Sequence, residues 1–336
     1  MTEPTTSPEP LPDSDPISPQ TASSRRRLWL PWLKIGLTLV LLVLLFRQIP
    51  PIRVWESIQG ASLAWAVLAI VLSFPRRVVE ALQVHAFTRH QGLTVSTWKI
   101  VEINFITSFY GFFLPGFLAT GALGWVRLSA VDRRPAKMFA SLVFNRIFET
   151  ILIALTGLLF WGLDFESHRN WPVFGAFLFL LLGMIGLAGF SASPLLPWSI
   201  TYAANHRFVP RWLRQKLGIL AESASRARSM SLGLHGLLLT LGLGRHLLGV
   251  VSMWCFARAL ALDVSFVNLG WMRSFLNLVQ LLPITVNGIG VRDVSLVFVL
   301  QEYGVAASAA VALSMLMLAR SFVMGLIGGL VELRSR

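Results

Sequence analysis

The residues of this chain best suited to chemistry are charged side chains beside glycine turns. Arg292 and Asp293 follow the segment Asn287-Gly288-Ile289-Gly290, and Arg127 follows a second glycine-containing stretch. A guanidinium is a planar fork of donors that matches phosphate and carboxylate oxygens, and glycine turns leave backbone N–H groups free to assist. The pattern indicates recognition of an anion, with Arg292 and Arg127 as pseudo-symmetric candidates. Alternatively, Arg292 and Asp293 form an interfacial pair that anchors the segment, and Arg127 is a positive-inside loop residue.

Further charges stand inside apolar runs. Arg146 and Glu149 are three positions apart within Met138–Leu163, which puts them on one helical face. Because a lone charge at that depth is costly, we expect them to pair with each other or with a neighbouring helix. Arg320 lies in a similar run with no acidic residue within one helical turn. Two interpretations stay open for these charges, a structural ion pair and the polar lining of a substrate cavity.

No catalytic or metal-binding pattern accompanies the charges. The six histidines have no metal-ligand spacing, and Cys255 is the only cysteine, so a cysteine-based metal cluster is excluded. Gly288-Ile289-Gly290 lacks the third glycine and the Lys-Ser/Thr pair of nucleotide-binding loops. We therefore expect no cofactor, no metal and no catalytic residue.

Apolar helices must position these residues. The 336 residues are 55% hydrophobic and only 13% charged, whereas soluble domains carry roughly a quarter charged residues. The mean hydropathy of +0.67 also favours a membrane protein. The formal net charge is +13, but the basic residues lie between apolar runs. There they set membrane orientation and contact lipid headgroups, so nucleic acid is not an expected partner.

The sequence predicts an all-α, polytopic membrane bundle of about six spans and two re-entrant hairpins. Residues 1–24 are rich in Pro, Ser and Thr and form a predicted disordered cytoplasmic tail; residues 25–336 form one membrane domain. The predicted spans are Leu28–Phe46, Ser62–Phe74 with a possible continuation to Phe87, Met138–Leu163, Phe174–Trp198, Leu232–Phe256 and Val305–Val331. The basic groups predicted on the cytoplasmic side are Arg25–Arg27, Arg76 with Arg77 and Arg89, Arg127–Lys137, the loop 203–229, and Arg334 with Arg336. This alternation puts both termini on the cytoplasmic side of a bacterial inner membrane.

The two hairpins are apolar helices broken by Leu-Pro and then by glycine. The first runs from Trp98 through Pro115-Gly116 to Gly124, and the second runs from Phe266 through Pro283 to Gly290. Proline removes a backbone donor and glycine permits a tight reversal, and such breaks survive at membrane depth only where protein or a water-filled cavity covers them. The charge pattern requires the hairpins to enter from opposite sides. Inverted repeats of this kind are a transporter architecture.

At these motifs the sequence resembles the transmembrane domain of lysylphosphatidylglycerol synthases and their stand-alone flippase-like relatives. The matching stretches are Asn104–Arg127 with Phe113-Leu114-Pro115-Gly116, Ala140–Glu149, and Leu281–Asp293. The resemblance covers about residues 30 to 333 and implies a membrane domain that binds or translocates a lipid. The predicted substrate-binding residues are Arg292, Asp293, Asn287, Gly288, Gly290, Pro283, Arg127, Pro115, Gly116, Arg146, Glu149 and Arg320.

Three functions are compatible with this sequence. The leading hypothesis is a protein that binds and flips a phospholipid or lipid-linked substrate, with its headgroup between the two hairpins. The second is an accessory subunit that presents lipid to a synthase or glycosyltransferase docked on the loop 203–229. The third, a membrane transferase, would rely on the few loop acids, Asp164, Glu166 and Asp263. Because the chain ends at Arg336 without room for a soluble synthase domain, we expect no lipid-aminoacylating activity.

Overall fold

The computed structural model describes residues 51–112, 117–164, 171–193, 198, 202, 222, 229–281 and 290–335, and these residues form an all-helical bundle. Within that part of the chain there is no β-strand, which confirms the predicted all-α class. The predicted tail 1–24 and the first predicted span, Leu28–Phe46, lie outside the described residues.

The helices fall into two sets along the chain. The first set is α1 Pro51–Gln59, α2 Leu63–Val71, α3 Ser73–His90, α4 Thr97–Tyr110, α5 Phe117–Asp132 and α6 Pro135–Leu163. The second set is α7 Trp171–Ala192, α8 Leu232–Ala259, α9 Phe266–Val279, α10 Val291–Gln301 and α11 Ala307–Ser335.

Three of these helices, α6, α8 and α11, are long and apolar enough to cross a membrane. At 28 or 29 residues each, they extend about 43 Å, which exceeds the hydrocarbon thickness of a bilayer. A fourth candidate is the broken pair of α1 with α2 and α3, bent by 89°. The predicted run Ser62–Phe74 does continue, since α3 carries the chain on to His90. The protein is therefore a multi-pass membrane protein.

Both predicted helix breaks are present between the flanking helices. Helix α4 ends at Tyr110 before α5 begins at Phe117, and α9 ends at Val279 before α10 begins at Val291. In each pair the two helices pack against each other. The break residues themselves, including Pro115, Gly116, Pro283, Asn287 and Gly288, lie outside the described residues.

The segments that lead into the two broken pairs repeat each other. Gly92 has a φ of 76° and Ala261 a φ of 53°, and each is followed by Leu-x-Val-Ser. The serines, Ser96 and Ser265, are N-caps whose hydroxyls accept hydrogen bonds from the third helical N–H. An alanine with a positive φ is unusual, so its occurrence where the first segment has a glycine supports a repeat of these two short segments. When Gly92 is aligned with Ala261, α3 aligns with α8 and α4 aligns with α9.

Helices from the two sets pack along each other. Helix α4 of the first set packs along α11 of the second, and α9 of the second set packs along α6 of the first. Glycines allow the close approach of α4 to α11: a Cβ at Gly328 would lie 2.7 Å from the Phe105 carbonyl carbon, and one at Gly325 would lie 2.6 Å from the Phe112 ring. Small residues at such crossings are typical of membrane helix packing.

The two broken pairs contact opposite ends of α6. The Trp125 indole of α5 donates a hydrogen bond of 2.8 Å to the Pro135 carbonyl at the beginning of α6. At the other end, the Trp271 indole of α9 donates to Asp164 at 3.3 Å, and the Tyr303 hydroxyl donates to the same carboxylate at 2.6 Å. These contacts hold the bundle around a central space.

Candidate functional site

The central space contains a main cavity of about 650 Å³ between α3, α4, α5, α6 and α11. Its lining contains both charged and apolar side chains, which we name the charged wall and the apolar wall. The charged wall consists of Arg76, Arg77, Glu80, Arg146, Glu149 and Arg320. The apolar wall includes Phe112, Trp125, Leu128, Phe139, Val143 and Met324. A cavity with this division suits an amphiphile, because each part of such a molecule finds a wall of its own polarity.

Two smaller cavities adjoin the charged wall. The first, which we name the arginine chamber, has a volume of about 150 Å³ and is lined by Arg76, Arg273, Asn277, Gln280, Arg292 and Arg320, with Leu276, Met317 and Ser321. The second, the side cavity, has about 210 Å³ and reaches Arg245 and His246 on α8. Arg76 lines all three cavities, so they form one polar centre.

Glu149 joins two arginines from different helices. Its carboxylate lies 3.1 Å from Arg146 on the same helix and 2.6 Å from Arg245 on α8. The expectation that Arg146 and Glu149 would pair with each other or with a neighbouring helix is confirmed, and both alternatives occur together. Both residues line the main cavity as well, so a structural pair and a cavity lining are not exclusive here.

Arg77 is also held by polar partners. Its guanidinium lies 3.4 Å from the Glu80 carboxylate and donates a 2.6 Å hydrogen bond to the Ser108 hydroxyl of α4. The hydrogen bond to Ser108 ties α3 to α4 at the edge of the main cavity. Glu80 and Glu149 are therefore both engaged by arginines.

Arg292 is fixed by a compact network at the beginning of α10. Its Nε donates to the Ser314 hydroxyl at 2.7 Å, and its Nη2 lies 3.2 Å from Asp293. Asp293 accepts a second hydrogen bond from the Gly290 N–H at 2.8 Å, which caps the helix, and a third from Ser314. Asp293 and Gly290 thus orient Arg292, while Arg292 lines the arginine chamber.

Three other arginines have no carboxylate partner. Among the residues that the structure describes, none places a carboxylate within ion-pair distance of Arg76, Arg273 or Arg320. Within the part of the chain that the structure describes, Arg76 Nε, Arg273 Nε and Arg320 Nη1 are buried atoms without a hydrogen-bond partner. Counting the described residues, the walls of the three cavities carry seven arginines, which face only Glu80, Glu149 and Asp293. The centre has an excess of four positive charges.

Arg76 and Arg273, two of the three arginines without a carboxylate partner among the described residues, were not identified as site residues from the sequence. Arg76 was interpreted, together with Arg77, as a cytoplasmic boundary group, but both lie inside α3 and line the main cavity. Arg273 stands within α9 and is 94% buried, since its exposed fraction is 6%. Alignment of the two repeated segments could have indicated Arg76 and Arg273. In this alignment Arg76 is equivalent to Arg245, and Arg273 is equivalent to Asn104, which also lines the main cavity.

Arg127 lies elsewhere than predicted. It does not belong to the walls of the three cavities; it forms a bidentate ion pair with Glu332 near the end of α11, with both N···O distances at 2.8 Å. The Tyr110 hydroxyl donates to the same carboxylate at 3.3 Å, and the guanidinium lies 5.7 Å from the Tyr110 ring centre. Arg127 thus links α5 to α11, and its predicted headgroup contact stays a prediction.

The structure thus brings together four of the predicted residues, Arg146, Glu149, Arg292 and Arg320, around the polar centre. Asp293 and Gly290 support Arg292 from behind. Pro115, Gly116, Pro283, Asn287 and Gly288 lie outside the described residues, and their predicted role stays a prediction.

The comparisons with known proteins give one match. The family model described as the lysylphosphatidylglycerol synthase TM region matches residues 32–329, nearly the whole chain. No curated protein and no solved structure matches.

Proposed function

This chain belongs to the lysylphosphatidylglycerol synthase transmembrane-region family, and from that premise we propose that it binds a phospholipid or lipid-linked substrate in the main cavity and moves the headgroup between leaflets. Membership of the family places the protein among membrane proteins related to lipid handling. The chemistry of the cavity supports the more specific statement.

The observation that carries the proposal is the divided lining of the main cavity. Its charged wall, with Arg76 and Arg320, offers guanidinium donors to a phosphate headgroup. Its apolar wall, with Trp125, Phe139 and Val143, lies between α5 and α6 and suits acyl chains. Phe139 and Val143 have exposed fractions of 47% and 38%. A headgroup can therefore occupy the centre while its chains stay in the bilayer.

We further propose that the two broken helix pairs are re-entrant hairpins of opposite orientation. Trp125 contacts the beginning of α6 and Trp271 contacts its end, as expected if the hairpins open toward opposite membrane faces. Inverted hairpins that meet near the midplane can cover a central site from either side in turn. With the basic loops on the cytoplasmic side of a bacterial inner membrane, both termini are cytoplasmic.

Lipid flux into proteoliposomes tests the function. The purified full chain is reconstituted with a trace of fluorescent phosphatidylglycerol, and the fraction accessible to external dithionite is followed over time. We expect flux above that of protein-free vesicles, and we expect Arg320→Gln to reduce the rate by about tenfold, since one lost charge-assisted hydrogen bond is worth about 1.5 kcal/mol or more. Arg258→Gln is the matched control, because Arg258 packs over Trp254 at the end of α8, away from the cavities.

Flux equal to that of protein-free vesicles would contradict translocation. If the protein still bound lipid in that case, the alternative of an accessory subunit would be favoured, and a stoichiometric enzyme should then co-purify with it. The loop 203–229, where such an enzyme would dock, lies almost entirely outside the described residues; within it, Glu222 pairs with Lys137 at 3.2 Å.

A further inference from the structure

We infer that the arginine chamber binds a phosphate group with at least two negative charges, such as a phosphomonoester or a diphosphate, and that this group selects the lipid. The inference rests on the proposed function, because it names the class of headgroup that the main cavity admits. Four features of the chamber carry it: the origin of its arginines, their charge balance, their rigidity, and the connection to the main cavity.

Each of four helices contributes one arginine to the chamber. They are Arg76 from α3, Arg273 from α9, Arg292 from α10 and Arg320 from α11. The side-chain amides of α9 residues Asn277 and Gln280 complete a polar lining. A volume of about 150 Å³ equals about five water molecules, which is enough for one or two phosphate groups and too little for a lipid glycerol with its chains.

The charge balance of the chamber favours a multiply charged anion. Among the described residues, a carboxylate partner is found for Arg292 alone of its four arginines, namely Asp293. The remaining three, the buried Arg273 and the half-buried Arg76 and Arg320, have no compensating carboxylate among the described residues. This arrangement is unfavourable until a counter-ion enters. A phosphodiester supplies one negative charge, whereas a phosphomonoester at neutral pH supplies nearly two. The second charge therefore adds binding energy in this chamber that an exposed site would not provide.

The same balance disfavours a cationic headgroup. An ammonium group needs a free carboxylate, but Glu80 already pairs with Arg77, and Glu149 is shared by Arg146 and Arg245. An aminoacylated phosphatidylglycerol would bring its ammonium groups into a centre with excess positive charge. We therefore expect this chain to discriminate against such lipids.

Arg273 is held in place without an anion. Its side chain packs against Gly249 on α8, where a Cβ would lie 2.6 Å from the guanidinium carbon. The glycine thus provides the space in which the guanidinium lies, and Arg273 is almost completely buried there. A donor that is already positioned loses less conformational entropy when it binds.

The chamber also adjoins the lipid site. Arg76, Arg320 and Ser321 line both the chamber and the main cavity. A phosphate group in the chamber can therefore remain esterified to a molecule whose apolar part lies in the main cavity.

A displacement experiment tests the inference. The full chain in detergent is loaded with fluorescent phosphatidylglycerol, which is displaced by dioctanoyl phosphatidate, dioctanoyl phosphatidylglycerol or dioctanoyl lysylphosphatidylglycerol. We expect phosphatidate to act at about tenfold lower concentration than phosphatidylglycerol, which corresponds to about 1.4 kcal/mol, and the lysylated lipid to be weakest. The preference for phosphatidate should fall to about threefold or less in Arg273→Gln and in Gly249→Ala, and should persist in Arg258→Gln.

Inorganic pyrophosphate distinguishes a free anion from a lipid headgroup. Displacement by pyrophosphate as well as by phosphatidate would support a chamber open to free phosphates, and displacement by phosphatidate alone would support a headgroup site. As a lipid-independent readout, pyrophosphate should raise the unfolding midpoint of the unmodified protein more than that of Arg273→Gln.

Two results would overturn the inference. The first is equal potency of the three lipids. The second is a preference for phosphatidate that survives in both Arg273→Gln and Gly249→Ala. Either result would reject the inference and leave the proposed lipid handling intact. Failure of the fluorescent lipid to bind at all would instead contradict the proposed function. In that case, the absence of any pyrophosphate stabilisation would reject the chamber independently.

Discussion

At the scale of single residues, Arg245 and Arg273 are two buried arginines with opposite surroundings. Arg245 lies 2.6 Å from Glu149, whereas Arg273 has no carboxylate partner among the described residues. Removing one member of a buried pair leaves the other uncompensated, while removing an unpaired buried charge relieves a desolvation cost. The two residues should therefore respond differently to the same substitution.

We expect Arg245→Met to destabilise the protein by about 1–3 kcal/mol, and Arg273→Met to leave its stability unchanged or to raise it. Thermal unfolding in detergent without added anions measures both effects. A fall in the unfolding midpoint of Arg273→Met as large as that of Arg245→Met would show that Arg273 has a structural role. That result would remove the argument for an anion at this position.

Three of the charged residues that the sequence identified lie inside long apolar runs. Arg146, Glu149 and Arg320 stand in such runs, so their burial could be predicted from hydropathy alone. Arg76 could not, because it follows Pro75 at what looked like the end of a span. The position of Arg127 depends on Glu332, which lies 205 residues later in the chain, and no local pattern indicates that contact.

At the scale of helices, the crossing of α4 and α11 depends on glycine. A Cβ at Gly328 would overlap the backbone of Phe105, and backbone cannot move aside as a flexible side chain can. We expect Gly328→Ala to destabilise the protein by about 1–3 kcal/mol and to lower its unfolding midpoint.

Gly186→Ala in α7 provides the matched control, because no atom lies within 4 Å of a Cβ there. Alanine has the higher helix propensity, so this control should be neutral or slightly stabilising. Equal losses in the two variants would contradict the close packing of α4 against α11.

The sequence predicts the helices and their breaks better than it predicts which helices pack against each other. The Leu-Pro and glycine motifs correctly separate α4 from α5 and α9 from α10. The exchange of α4 onto α11 and α9 onto α6 was not predicted, because it depends on tertiary contacts such as those of Gly325 and Gly328. The repeated turn at Gly92 and Ala261 can be recognised in the sequence once the positive φ of both residues is known.

At the scale of the whole molecule, opposite hairpin orientation predicts that two exposed alanines face opposite sides of the membrane. Ala130 lies near the end of α5, and Ala306 precedes α11; both are exposed. Cys255 is the only cysteine, so Cys255→Ser gives a background without thiols.

In that background we expect Ala306→Cys to react with an impermeant maleimide added outside intact cells, and Ala130→Cys to react only after permeabilisation. Labelling of both cysteines from the same side would contradict the inverted arrangement. In that case the alternation of basic residues along the chain would need an explanation other than opposite hairpin orientation.

The central claim is that the arginine-rich centre holds an anionic lipid headgroup, and native mass spectrometry tests it most directly. The gently solubilised protein is compared with Arg320→Gln, and any retained lipid is identified. We predict selective retention of one anionic or phosphate-linked lipid class, and its loss in the variant. Retention that mirrors the bulk membrane composition, unchanged in Arg320→Gln, would contradict the claim.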